Sequence, residues 1–129
     1  MKKILLFHVN IFKQNSLRKL CDDLGIETCV VTDKELSMLL GAIAGMPAPA
    51  GSGSSGKPVP FSDEMMVFCG LEPELLDRFL AEYRNREIAP IPLKAVLTPY
   101  NAKWTPGRLC MELKKEQQSI ASARREKEE

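Results

Sequence analysis

The chain has 129 residues, 44% of them apolar, which is enough for the core of one ordinary domain. Its 18 basic and 17 acidic residues leave a formal net charge of +1, so no long-range field attracts nucleic acid or an anionic membrane. No apolar run approaches a membrane span, and the run at residues 4–7 is too short for a signal peptide. We therefore expect a soluble cytoplasmic protein whose partner is neither nucleic acid nor membrane.

The four cysteines are scattered along the chain and form no C-x-x-C pair. With a single histidine in the sequence, the spacing of a zinc site is absent. Free thiols among apolar residues behave as small hydrophobic side chains. We expect reduced core cysteines, no metal and no cofactor.

The first half of the chain has two strand–helix patterns. Residues 3–7 (KILLF) are typical of a strand buried on both faces, and residues 27–31 (ETCVV) are predicted to form a second strand. Asn15 or Ser16 is the expected N-cap of the first helix, which Gly25 ends. A second helix is predicted from the apolar spacing of residues 36–43, beginning at Thr32 or Asp33.

Residues 47–60 (PAPAGSGSSGKPVP) offer almost nothing to bury and disfavour regular structure. Because similar strand patterns lie on both sides, the segment is predicted to be a flexible internal loop within one domain. A lid over a site is the alternative, although plain connectors of this composition are more common.

The second half repeats the pattern. Residues 65–69 (MMVFC) and 93–97 are the expected third and fourth strands, and Pro73 opens the helix between them. The last helix is predicted to begin with Thr105 as its N-cap, with Trp104 packing on Leu109 as a hydrophobic staple. Residues 119–129 form a charged, frayed tail of alternating sign.

Strand–helix units repeated four times predict an α/β fold. We expect a single three-layer domain over residues 1–118, with a mainly parallel four-stranded sheet and helices on both faces. By analogy with flavodoxin-like sheets, the predicted strand order is 2-1-3-4.

In a parallel sheet, ligands bind beyond the carboxyl ends of the strands. Polar side chains follow the first and fourth predicted strands there: His8, Asn10, Thr98, Tyr100 and Asn101. His8 is the strongest single candidate because a histidine can change charge near neutral pH. For each of these residues the alternative is a structural hydrogen bond in a turn or a cap.

No catalytic residues are predicted, because the sequence lacks both G-x-x-x-x-G-K-[ST] and G-x-G-x-x-G. A thiol-dependent redox protein or low-turnover enzyme that uses Cys69 with His8 is the alternative hypothesis. It lacks an identifiable third group to orient the pair.

The segments LLGAIAGM, EMMVFCGL and LKAVLTPYNAKWT together resemble a family of small bacterial proteins classed only as a domain of unknown function. The resemblance implies kinship over most of the chain apart from residues 47–60 and the tail. It implies no activity.

The function favoured by the sequence is a non-catalytic binding or regulatory module that uses the carboxyl ends of its strands. Its partner would be a protein or a small polar ligand. A third hypothesis is an interaction protein that dimerises or docks through a sheet edge, or through the helix face around residues 41–45.

Overall fold

The computed structural model describes residues 2–45 and 59–127, with side chains through residue 117. The strands are β1 (Lys3–Phe7), β2 (Glu27–Val30), β3 (Met65–Cys69) and β4 (Leu93–Val96). The α-helices are α1 (Ile11–Leu24), α2 (Leu40–Ile43), α3 (Pro73–Asn85) and α4 (Pro106–Lys127), and short 3₁₀ helices lie at Asp33–Ser37 and Asn101–Lys103. The fold is α/β, as predicted, and α4 extends well into the predicted charged tail.

The four strands form one sheet in the predicted order, β2-β1-β3-β4. The expectation of a mainly parallel sheet is wrong, because the central strands β1 and β3 are antiparallel. Strand β1 pairs with β2, and β3 with β4, in the parallel sense. The sheet is therefore mixed, with two parallel strand–helix–strand units joined back to back.

The path between β2 and β3 explains the reversal. Most of the predicted loop 47–60 lies outside the described residues, but its two ends are informative. Gly45 lies beside the side chain of Lys3 at the start of β1, whereas Phe61 packs against Phe7 at the end of β1. Val59 contacts Gly107 at the start of α4 and Asp63 contacts Lys114 farther along that helix, so residues 59–63 carry the chain to the end of β1. Strand β3 begins there, with Met65 opposite Phe7.

Alternate strand residues contribute to two hydrophobic clusters. The first combines Ile4, Leu6, Met66 and Phe68 with residues of α1 and α3 such as Leu17, Leu20 and Phe79. The second combines Leu5, Phe7, Met65 and Val67 with Leu40, Leu109 and Cys110 of α2 and α4. This alternation is why each central strand is a continuous apolar run in the sequence.

The predicted start of the first helix and the predicted continuity of the second helix are corrected. Helix α1 begins at Ile11, because the Oδ1 atom of Asn10 accepts a hydrogen bond from the Lys13 N–H at 2.9 Å. The continuous helix expected after β2 is instead a 3₁₀ helix followed by four residues of α2. There the backbone N–H of Leu40 donates to the Trp104 carbonyl, so a tertiary contact overrides the local apolar spacing.

Candidate functional site

The antiparallel central pair separates the predicted site residues. His8 and Asn10 follow β1, and we call this the His8 end of the sheet. Thr98, Tyr100 and Asn101 follow β4 at the opposite end, the Asn101 end, because β4 runs parallel to β3 and β3 opposes β1. The expectation that all five side chains gather at one place does not hold.

At the His8 end, the polar groups of Asn10 have structural partners. Its side chain caps α1, and its backbone N–H donates to Glu64 Oε2 at 3.3 Å. Lys13 forms an ion pair with the same Glu64 and also donates to the Pro90 carbonyl at 3.0 Å. This network fixes the start of α1 against the start of β3.

His8 is exposed and has a left-handed backbone, with φ of 57°. Its ring meets Phe61 edge-on, with 4.7 Å between the ring centroids. Just beyond it, Ile11 and Phe12 in the first turn of α1 are 59% and 80% exposed. The His8 end thus presents an apolar pair beside a strained backbone position.

At the Asn101 end, hydrogen bonds lock the turn after β4. Asn101 Oδ1 accepts from the Thr98 N–H at 2.8 Å, and Thr98 Oγ1 accepts from the Asn101 N–H at 3.1 Å. Asn101 Nδ2 donates to the Val96 carbonyl at 3.0 Å, and the side chain is buried. Asn101 is therefore a structural residue that makes the turn rigid.

The locked turn exposes an aromatic and cationic group of side chains. Tyr100 is 76% exposed and meets Trp104 edge-on at a centroid distance of 5.6 Å. The guanidinium of Arg108, on the first turn of α4, lies 4.7 Å from the centre of the Trp104 ring. We call these three residues the Tyr100 surface.

The sequence indicated Tyr100 but not Trp104 or Arg108 as site residues. Trp104 does pack against the second hydrophobic cluster, which contains Leu109. Thr105 Oγ1 accepts from the Arg108 N–H at 3.4 Å, and α4 begins at Pro106 as predicted. The available signal was the four-residue spacing of Trp104 and Arg108, which places them together at the helix start.

The structure does not bring Cys69 and His8 together. Cys69 pairs with Lys3 at the start of β1, whereas His8 follows the last residue of that strand. Burial raises the pKa of the Cys69 thiol to about 11, which opposes formation of a thiolate. Burial also raises the pKa of Cys21, Cys29 and Cys110.

A cavity of about 480 Å³ lies between the chain entering β3 and the start of α4. Inside it, Lys114 Nζ and Asp63 Oδ1 are 2.9 Å apart, and the hydrogen bond from Lys114 lowers the pKa of the Asp63 carboxyl. The thiol of Cys110 lies 3.8 Å from the same oxygen. Asp63, Lys114 and Cys110 therefore satisfy one another, and Lys115, which also lines the cavity, lies 3.9 Å from Glu112.

Over the residues described, no group of three or more His, Cys, Asp or Glu side chains could hold a metal ion. Within the same part of the chain, no helix is both long and apolar enough to cross a membrane.

Comparison with known proteins finds similarity to a protein-family model. No curated protein and no solved structure matches the chain. Residues 64–120, from just before β3 into α4, match the sequence model of a family described as a domain of unknown function, DUF3783. The expected resemblance to a family of unknown function is thereby confirmed over this segment, which contains the whole Tyr100 surface.

Proposed function

We propose that the protein is a non-catalytic binding module that recognises a protein segment through the Tyr100 surface. The observation that carries the proposal is the exposure of Tyr100 on a turn locked by Asn101, beside Trp104 and Arg108. We also propose that the protein is bacterial and cytoplasmic, and that its helices form outer layers on the two faces of the sheet.

The residue types support a protein partner. Tyrosine, tryptophan and arginine are the side chains most enriched among residues that dominate protein–protein affinity. Each offers a large contact area together with a polar group, so each can bury surface and still form a hydrogen bond. Trp104 contacts both Tyr100 and Arg108, and a group of these three residue types is the composition expected at the centre of an interface.

The rigidity of the turn supports recognition rather than simple connection. A loop already held in its binding conformation loses less conformational entropy on association. Thr98 and Asn101 bond to each other twice, and Asn101 also bonds to the last residue of β4. The turn that carries Tyr100 is therefore fixed to the end of β4.

Affinity capture from cells of the source organism tests the proposal. The tagged wild-type chain is compared with Tyr100→Ala and Arg108→Ala, and Phe12→Ala is the matched control because it removes an equally exposed aromatic at the His8 end. We expect a partner whose recovery falls in the first two variants and is unchanged in the control. Recovery that depends on Phe12 but not on Tyr100 would refute the assignment.

A thermal-shift screen separates a protein partner from a small polar ligand. A ligand at 100 times its dissociation constant adds about 2.7 kcal/mol to the free energy of unfolding, enough to raise the melting temperature measurably. A metabolite or anion that stabilises the wild type but not Tyr100→Ala would replace the protein partner with a small molecule at the same surface.

A further inference from the structure

The two outer strands of the sheet differ in how their free sides are protected. Leu97 N–H donates to the Phe68 carbonyl, so the alternating backbone groups of Pro92, Lys94 and Val96 point away from β3. The Val96 carbonyl accepts from Asn101 Nδ2 at 3.0 Å, and the Pro92 carbonyl accepts from Gln117 Nε2 at 2.9 Å.

Strand β4 is therefore closed at both ends by side chains of its own fold. Proline also lacks the N–H that a further strand would use, and Lys94 places a charge between the two closed positions. Prolines and lysines on an outer strand are recognised means of preventing edge-to-edge association.

Among the described residues, nothing protects strand β2 in the same way. The Glu27 N–H donates to the Lys2 carbonyl, and the Val31 N–H donates to the Leu6 carbonyl in β1. Because backbone groups alternate in direction along a strand, those of Thr28 and Val30 point away from β1. No described residue forms a hydrogen bond with these outward groups, and the Val30 side chain is 38% exposed.

We infer that β2 pairs antiparallel with β2 of a second copy of the chain, around a two-fold axis that passes beside Cys29. This register places Thr28 of each copy opposite Val30 of the other, so that all the outward N–H and C=O groups of both residues are paired. The two sheets then join into one continuous sheet.

A second copy fits this strand because the pairing is self-complementary. Glu27 faces Val31 of the other copy, so no carboxylate opposes another carboxylate. The exposed Val30 side chain lies beside Thr28 of the other copy, a favourable cross-strand neighbour. The arrangement also leaves both β4 strands, and both Tyr100 surfaces, at the outer limits of the joined sheet, so it is independent of the proposed function.

Light scattering of the purified full chain tests the pairing through two matched proline variants. Val30→Pro removes an outward N–H from β2, and Val96→Pro removes the corresponding outward N–H from β4. We expect twice the monomer mass of 14.4 kDa for the wild type and for Val96→Pro. For Val30→Pro we expect the dissociation constant of the dimer to rise at least roughly tenfold.

A wild type that remains monomeric at millimolar concentration overturns the inference. A dimer equally stable in Val30→Pro, with native circular dichroism, also overturns it because the contact then lies elsewhere. Loss of the dimer in Val96→Pro alone would move the contact to β4 and contradict the inference as well.

Oxidative cross-linking gives a second measurement that needs no proline. In this register Cys29 of one copy lies opposite Cys29 of the other, as a non-hydrogen-bonded pair. The Cα atoms of such a pair are about 4.5 Å apart, a distance that a disulfide can span. Diamide accepts two electrons and two protons from the two thiols and becomes a hydrazine while the disulfide forms. We expect a covalent dimer from the wild type and none from Cys29→Ser.

Cys21, Cys69 and Cys110 are buried, so they serve as internal controls for reagent access. A covalent dimer that persists in Cys29→Ser would contradict the proposed register. So would the absence of any cross-link at concentrations where light scattering detects a dimer.

Discussion

The two ends of the sheet share a structural asparagine but expose different side chains. At each end a strand is followed by an asparagine whose side chain bonds to nearby backbone, Asn10 at one end and Asn101 at the other. Asn10 starts a helix whose first turn exposes Ile11 and Phe12, whereas Asn101 locks a turn that presents the Tyr100 surface. Polarity at a strand end therefore marks local structure, and the side chains held outward by that structure distinguish the two ends.

The largest expected effect concerns Gly107 in the first turn of α4, which packs against the segment that leads into β3. A Cβ atom at Gly107 would lie 1.8 Å from the Val59 carbonyl oxygen, so the backbone must move. We expect Gly107→Ala to lower the free energy of unfolding in urea by about 3 kcal/mol, the upper part of the range for overpacking.

Gly41, which packs on Ala102 at the Asn101 end, is the matched control. A Cβ atom there would lie 3.2 Å from Ala102, and the higher helix propensity of alanine offsets the mild crowding. We expect Gly41→Ala to change stability by less than about 1 kcal/mol. Equal losses in the two variants would show that the Val59 contact is not close.

The next effect compares the two asparagines directly. Asn101→Ala leaves the Thr98 N–H and the Val96 carbonyl without their partner, and we expect a loss of about 2 kcal/mol. Asn10→Ala removes one helix cap, for which about 1 kcal/mol is typical. Urea unfolding measures both losses in the free energy of unfolding. A larger loss for Asn10→Ala than for Asn101→Ala would contradict the view that Asn101 is the more important structural residue.

A smaller effect tests the left-handed backbone at His8. Glu87 has a similar backbone, with φ of 53°, just after α3. Replacing a left-handed residue with glycine removes steric strain, so Glu87→Gly is expected to raise the free energy of unfolding by about 0.5 kcal/mol.

His8→Gly should gain less than Glu87→Gly, because it also loses the ring contact with Phe61. Thermal unfolding of the two variants side by side measures the difference. A gain in His8→Gly as large as that in Glu87→Gly would mean that the His8 ring contributes nothing to stability.

The smallest expected effect is a pH dependence at Asp63. Because Lys114 lowers the pKa of Asp63, the folded carboxyl holds its proton less tightly than the unfolded one. Its contribution is present above the unfolded pKa, about 3.9, and is lost as the pH falls through the lower folded value. The exposed pair is screened by solvent, so the loss is slight.

Acid unfolding of Lys114→Gln measures this contribution, with Lys115→Gln as the control because Lys115 lies 3.9 Å from Glu112 instead. Only the first variant should lose less stability between pH 5 and pH 3 than the wild type. An unchanged acid profile in Lys114→Gln would show that the pair adds nothing.

The apolar runs were sufficient to predict the strands, because each central strand contributes side chains to both hydrophobic clusters. The strand order was predicted by analogy with flavodoxin-like sheets and not from the runs themselves. The direction of β3 was not predictable, since it depends on where the residues after α2 deliver the chain. Asn10 was assigned a binding role because a cap and a ligand group look alike in sequence. Trp104 and Arg108 became recognisable as surface residues only when the fold showed which side of each remains exposed.

Hydrogen–deuterium exchange of the chain with and without a captured partner tests the central claim most directly. The account predicts slower amide exchange over residues 97–108 when the partner is bound, with residues 8–14 unchanged. Protection of residues 8–14, with no change at residues 97–108, would contradict it and assign binding to the His8 end.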